Sequence, residues 1–288
     1  MNIKITADST CDLSPDLIEQ HNITLIPLTV HKGGQLYRDG VDITPADIFA
    51  HVAGGGAICT TAAVNVYDYQ TMFKRLREEY DAVVHINLGS DLSACYQNAC
   101  SAAADIPGVY PVDSKNLSTG HGHVVMEACR LAKNCTDAGD IEAMCERLRE
   151  FAGRVEASFL LDRLDYMAKG GRCSMVAALG ANLLKLKPCI EVVNGKMTVA
   201  KKYRGRYDKC LTEYVQDRLS NRSDILYDTL FITHTPVQPD DMAAVKAAVE
   251  KNNMFKNIYD TDAGGTISCH CGPGTLGVLF VRKTDRAG

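Results

Sequence analysis

From Ile3 to Lys133 the chain alternates short β-branched runs with amphipathic stretches, and this alternation constrains the fold more than any other feature. Strands are expected at Ile3–Ala7, Thr24–Val30, Ala82–Leu88 and Val109–Val112. Ser14-Pro15 and Thr44-Pro45 each set an N-cap residue before a first-turn proline, the second ahead of a helix over Ala46–Val52. Over Val66–Tyr80, Tyr69, Met72, Phe73 and Leu76 share one helical face, with charges opposite. Further helices are expected over Leu92–Ala104 and from about Leu117 to Lys133. Such a succession predicts an α/β fold whose mainly parallel sheet carries helices on both faces. Ligands of these sheets sit beyond the carboxyl ends of the strands, where the loops at Asp8, Gly89 and Asp113 fall.

A different pattern starts near Arg154. A strand over Glu156–Leu161 is followed by Leu183–Val193, the turn Asn194-Gly195 and a returning strand over Lys196–Lys202, a strong hairpin signal. Helix Tyr207–Leu219, strand Thr229–Thr233, helix Asp240–Lys251 and strand Leu276–Val281 complete a mixed or antiparallel sheet with helices. The expected division is two α/β domains, 1–153 and 154–288, with a ligand site between them; 288 residues are ample for both.

Bulk properties exclude several classes. A net charge of −4 with both signs interspersed lacks the basic footprint of a nucleic-acid binder. No secretory leader pattern and no long apolar run occurs, so the expected location is the cytoplasm, without a membrane-spanning segment. The twelve cysteines include no C-x-x-C pair and read as buried thiols of a reducing compartment. Cys269 and Cys271 flank His270, but further ligands at zinc spacing are missing, so no metal is expected.

Near the end, His270-Cys271-Gly272-Pro273-Gly274 forces a tight turn whose amides, with an imidazole, suit an anion. Thr61, in Cys59-Thr60-Thr61-Ala62, and Ser93, in Gly89-Ser90-Asp91-Leu92-Ser93, add hydroxyls on loops ahead of helices. A carboxylate taken out of water needs such donors. Thr61 and Ser93 are equally well read as helix caps. Asp8 and Asp113 suit local backbone capping better than metal ligation, and His121 and His123 read as incidental. Lys169-Gly170-Gly171-Arg172 lacks the P-loop spacing, and Lys201, Lys202, Arg204 and Arg206 form a basic cluster after the hairpin. No nucleophile elbow, H-E-x-x-H motif or paired catalytic carboxylate is present, so the chain reads as a binder.

Taken in order, Asp8-Ser9-Thr10-Cys11-Asp12, the Thr61 and Ser93 loops, Val112-Asp113-Ser114-Lys115, Gly170-Gly171-Arg172 and His270–Gly274 resemble the DegV family of bacterial fatty-acid-binding proteins. These include the FakB subunits that present fatty acids to a fatty acid kinase. The resemblance runs from Ile3 to Phe280 and implies a two-domain DegV-like fold. It implies that Thr61, Ser93 and His270, with the turn at Gly272 and Gly274, hold a lipid carboxylate, and that Arg172 faces a kinase partner. Lys201 and Arg204 are added as candidate partner contacts from the basic cluster. The chain departs from the family pattern at Ala62-Ala63-Val64, Gly89, Ala94-Cys95 and Cys271, where the family carries mostly polar residues.

The expected function is therefore that of a carrier without catalytic residues. It would enclose one long-chain fatty acid in an apolar tunnel and present the carboxylate to a separate ATP-dependent kinase, giving an acyl phosphate for phospholipid metabolism. No cofactor is expected besides the lipid, and membrane involvement is limited to transient contact. Two rival readings are an esterase or thioesterase using Ser93 and His270, and a lipid-dependent interaction or sensor protein.

Overall fold

The computed structural model describes residues 1–177, 186–251 and 254–285, so the first three residues of the expected strand Leu183–Val193 lie outside the described part. Strands are numbered in chain order. β1 (Ile3–Asp8), β2 (Thr24–Ile26), β6 (Ala82–Asn87) and β7 (Val109–Asp113) form an all-parallel sheet in the order β2-β1-β6-β7. Every residue of β6 is buried, as a strand covered on both faces requires. β3 (Thr29–Lys32), β4 (Gln35–Arg38) and β5 (Thr60–Ala62) make a small antiparallel sheet, in which β5 turns the expected Thr61 loop into a strand.

The remaining strands are β8 (Val155–Leu160), β9 (Leu186–Val193), β10 (Lys196–Arg204), β11 (Ile225–His234), β12 (Asn257–Asp262) and β13 (Leu276–Arg282). They form one mixed sheet in the order β10-β9-β8-β13-β11-β12, with only β11 and β12 parallel. The β9–β10 hairpin turns through Asn194 at φ 50° and Gly195 at φ 83°, the left-handed pair that Asn-Gly supplies. Its tip reaches the first half of the chain, where a Cβ on Gly195 would lie 2.8 Å from Asp91 Oδ2.

Among the helices, α1 (Pro15–Gln20) and α2 (Pro45–Ala53) carry the caps read from sequence, and Thr44 and Asp47 close a full capping box. α3 (Val66–Arg77) buries Tyr69, Met72, Phe73 and Leu76. α4 (Cys95–Ala103) starts three residues later than expected because Leu92 and Ser93 bond back to the Gly89 carbonyl in a turn. α5 (Ser118–Ala132) is buried at its first eight residues, Ser118 to Val125. α6 (Ala138–Arg154) leads into β8, and two short helices follow it, α7 (Asp165–Gly170) and α8 (Ser174–Ala177). α9 (Tyr207–Leu219) and α10 (Pro239–Glu250) cover the mixed sheet, and α11 (Gly265–Cys271) precedes β13. No helix among the described residues is long and apolar enough to cross a membrane.

One continuous apolar core joins the parallel sheet, α5 and α6 to the inner face of β8 and β13, through Ile86, Val124, Phe151, Phe159 and Leu279. Beyond β13 a second core forms around Tyr214, Leu230 and Phe280. Behind β8 lies a charge network. Glu156 takes Arg218 at 2.7 Å and Arg222 at 2.7 Å, with Arg282 at 3.6 Å, while Arg218 also bonds Glu191.

Candidate functional site

The mixed sheet and the small antiparallel sheet meet at α11. Its N-terminus is gripped by two buried carboxyl groups from the first half of the chain. The Gly264 amide donates to Asp12 Oδ1 at 3.0 Å, and the Gly265 amide donates to Asp39 Oδ1 at 2.8 Å. Glycine at both positions lets the carboxyl groups approach this closely, since a Cβ would lie 2.9 Å from Asp12 Oδ1 and 2.7 Å from Asp39 Oδ1 respectively. Burial pushes the Asp12 carboxyl up to about 8, against the Ser118 hydroxyl and Gly264 amide that bond it.

α11 carries His270 in its last turn; sequence reading had placed this residue at the head of a turn. Nε2 of His270 lies 2.7 Å from Thr61 Oγ1 on β5, although 209 residues separate them. Burial, then the charge of Arg172, lowers His270 to about 4, so the ring is neutral near pH 7. Nδ1 is buried without a hydrogen-bond partner. Gly170 packs directly on it, because a Cβ there would stand 2.3 Å from Nδ1. Gly170→Ala is therefore expected to push the imidazole off Thr61 and shift the His270 titration towards about 6.5, read by histidine-resolved NMR. An unmoved titration would show that the ring does not depend on this contact.

Thr61, Ser93, Arg172 and His270 line one cleft, whose other walls include Leu28, Leu88, Leu92, Leu117, Met167, Met197 and Ile267. It encloses about 530 Å³ of atom-free space counting its mouth, of which about 50 Å³ can hold the centre of a water molecule. Ala62 and Ala63, two departures from the family pattern, also form this wall, as does Cys271. Ser93 combines both of its sequence readings. Its hydroxyl accepts the Cys95 amide at 3.3 Å at the start of α4 and donates to Cys95 Sγ at 3.2 Å, yet it faces the cleft.

Sequence reasoning missed Thr266, whose buried hydroxyl has no hydrogen-bond partner and which lines the same cleft. It stands four residues before His270, on the same helical face. The signal was an i, i+4 pair, hidden while the segment read as an irregular turn. Gly272 (φ 74°) and Gly274 (φ 78°) are not in the cleft wall. They let the chain pass close to Tyr166 and Asp162, where Cβ atoms would approach to 2.7 and 2.9 Å.

A second, smaller cavity of about 320 Å³ adjoins the cleft, and Leu117, Ile267 and Cys271 line both. The hydroxyls around it are already bonded: Ser118 to Asp12, Thr233 to Thr119 and Thr261, Thr235 to the Gly272 carbonyl, and Thr275 to the Cys271 carbonyl. What they turn inward is apolar.

The other candidates have structural partners. Asp8 accepts the Leu88 amide at 2.7 Å and bonds Tyr69 and His85; burial would raise it, but His85, His121 and Tyr69 together more than offset this and hold it low. Asp113 accepts from Ser90 and from the Lys115 amide. His121 and His123 bond the Ile86 and Leu279 carbonyls. No cluster able to hold a metal occurs among the described residues. Exposed Arg172 donates to the Gly170 carbonyl at 2.7 Å, so it is at once surface and cleft wall. Of the basic cluster, Lys201 is paired with Glu213 and Asp217 and Arg206 with Asp208; Arg204 is exposed.

Comparison with known proteins agrees with this architecture. A DegV domain-containing protein of Clostridium acetobutylicum is 30% identical over 285 residues, covering 98% of this chain and 99% of its own. The solved structure of a fatty-acid-binding DegV family protein from Thermus thermophilus is 29% identical, with a TM-score of 0.85, and the match covers 98% of this chain and 100% of that one. DegV of Bacillus subtilis, described as a fatty acid binding protein, is 25% identical with a TM-score of 0.82, over 98% of this chain and 100% of its own. The sequence pattern of the DegV family matches residues 2–283. With that coverage and this fold, the chain is a member of the DegV family.

Proposed function

We propose that this protein binds one long-chain fatty acid, with its carboxylate at Thr61, Ser93 and His270 and its tail in the apolar cavities. The carrying observation is the convergence of polar groups on a cleft whose remaining walls are apolar: the Thr61 hydroxyl paired with the neutral His270 imidazole, the Ser93 hydroxyl, and the unpartnered hydroxyl of Thr266. A carboxylate at the mouth gives the Thr266 hydroxyl the partner that burial otherwise denies it, and Arg172 adds charge. The tail extends past Leu117 and Ile267 into the second cavity, admitted by movement of the flexible Met167 and Met197 side chains. Burying roughly 14 methylenes contributes about 11 kcal/mol before the costs of association, so the head group sets orientation more than strength. The fatty-acid-binding relatives from Thermus thermophilus and Bacillus subtilis support the same reading.

The proposal includes the two-domain division near Gly153 with the lipid between the halves, and the role of non-catalytic carrier. In that role a separate ATP-dependent kinase phosphorylates the bound carboxylate, docking at Arg172, Lys201 and Arg204. The esterase alternative is disfavoured by His270 itself, since no carboxylate orients its Nδ1.

Native mass spectrometry with extraction of the bound species tests the reading. One fatty acid per chain is expected, and Ser93→Ala or His270→Ala should weaken retention by about 10- to 150-fold, the loss of one hydrogen bond to a charged group. A protein that comes empty and takes up neither palmitate nor oleate would defeat it. The carrier role requires acyl phosphate to form only when a fatty acid kinase and ATP are added. Thioester hydrolysis by the protein alone would favour the enzyme instead.

A further inference from the structure

A far larger cavity lies elsewhere, between α5 and α6 on one side and β11 and β12 on the other. It measures about 1680 Å³ counting its open side, and about 760 Å³ of it can hold the centre of a water molecule, within the roughly 300–1,000 Å³ of small-molecule sites. It shares no lining residue with the cleft at His270.

Its floor is aromatic. Phe231 and Tyr259 stack with centroids 5.3 Å apart, and Phe151 lies beneath the Arg154 guanidinium at 5.2 Å. Its rim is basic although the whole chain carries −4. Arg130, Lys133, Arg154 and Lys256 face only two carboxylates, and both are taken: Glu127 by Arg130 at 2.6 Å, and Asp228 by Lys256 at 3.3 Å. Arg154 donates to the Lys283 carbonyl at 3.4 Å, and neither it nor exposed Lys133 has a carboxylate partner among the described residues. Burial lowers His123 to about 4, and burial with the charge of Lys133 lowers His21, so the histidines of the groove stay uncharged near neutral pH. An aromatic floor beside two uncompensated cations selects a molecule with an apolar body and a negative head.

We propose that this groove is a second ligand site, for an amphipathic organic anion. Its ring or chain lies on Phe231 and Tyr259, and its carboxylate, sulfonate or phosphate lies by Lys133 and Arg154. The site is independent of the fatty-acid reading.

The probe is 1-anilinonaphthalene-8-sulfonate, titrated by fluorescence into the parent, the Lys133→Gln/Arg154→Gln double variant and His270→Ala. One saturable site is expected, weakened about tenfold or more in the double variant, as loss of charged contacts implies. His270→Ala should bind the probe like the parent. Arg154 also packs on Phe151, so Lys133→Gln alone, at an exposed side chain, serves as the fold-neutral variant and should weaken binding about threefold. Equal affinity in parent and variants would overturn the proposal, as would loss of the probe in His270→Ala, which would place it in the cleft. Competition identifies the source of the anion: displacement by oleate marks an aliphatic acid, and displacement by naphthoate alone marks an aromatic one.

Discussion

Replacing Glu156 by alanine is expected to lower stability by about 3–5 kcal/mol. This carboxylate projects from β8 among Arg218, Arg222 and Arg282, the first two at 2.7 Å, and little of it reaches solvent. Removing it leaves buried guanidinium groups facing one another with less counter-charge. Losing a partner costs far more than the intact cluster contributes, because the remaining ions keep their desolvation penalty. The melting temperature should fall by roughly 5–8 °C, by scanning calorimetry, and Glu156→Gln should fall less because it keeps hydrogen-bonding capacity. A change within about 2 °C for Glu156→Ala would mean that water reaches the cluster and screens it. Since the network lies on the far side of the mixed sheet from the main core, fatty-acid retention below the transition should be unaffected.

The second large effect is acid sensitivity. His121 and His123 are buried in α5, and burial lowers both to about 4 against an ordinary 6.5. In the unfolded chain they protonate near 6.5, so between pH 6.5 and 4 the unfolded state holds more protons than the folded one. Stability then declines as pH falls below about 6.5: His121, His123 and His270 each cost up to about 1.4 kcal/mol per pH unit until the folded values near 4 are reached, partly offset by Asp12, whose carboxyl, raised to about 8, favours the folded state as pH falls. Denaturant midpoints measured from pH 7.5 to 4 should show this slope. His123→Gln, which can still donate to the Leu279 carbonyl, should flatten it by up to half. A profile unchanged by that substitution would place the proton uptake elsewhere.

Much of the fold was legible because its signals are local. The capping box of Thr44 and Asp47, the apolar face of α3 and the Asn194-Gly195 turn each depend on neighbours a few residues away. α9 keeps the predicted bounds Tyr207–Leu219. What escaped notice lacked such signals. β12 is an edge strand with a polar, exposed pattern, and β5 is three residues held by pairing with β3. α11 is a seven-residue helix beginning at a double glycine, and nothing local marks it; its N-terminus is fixed by Asp12 and Asp39 from the far end of the chain. Missing that helix meant missing Thr266. The cleft residues Thr61, Ser93 and His270 were found by family resemblance, while the groove at Phe231 and Tyr259 is formed by elements distant in sequence and left no linear trace.

The grip of Asp12 and Asp39 on α11 spans 252 and 226 residues, and the pairing of Thr61 with His270 spans 209. Closing loops of that length is entropically costly and comes late in folding. During synthesis every one of these contacts waits until α11 has been made. A polypeptide that stops short of α11 therefore lacks the cleft. Assembly of the cleft thus requires residues 209 to 252 positions apart to meet.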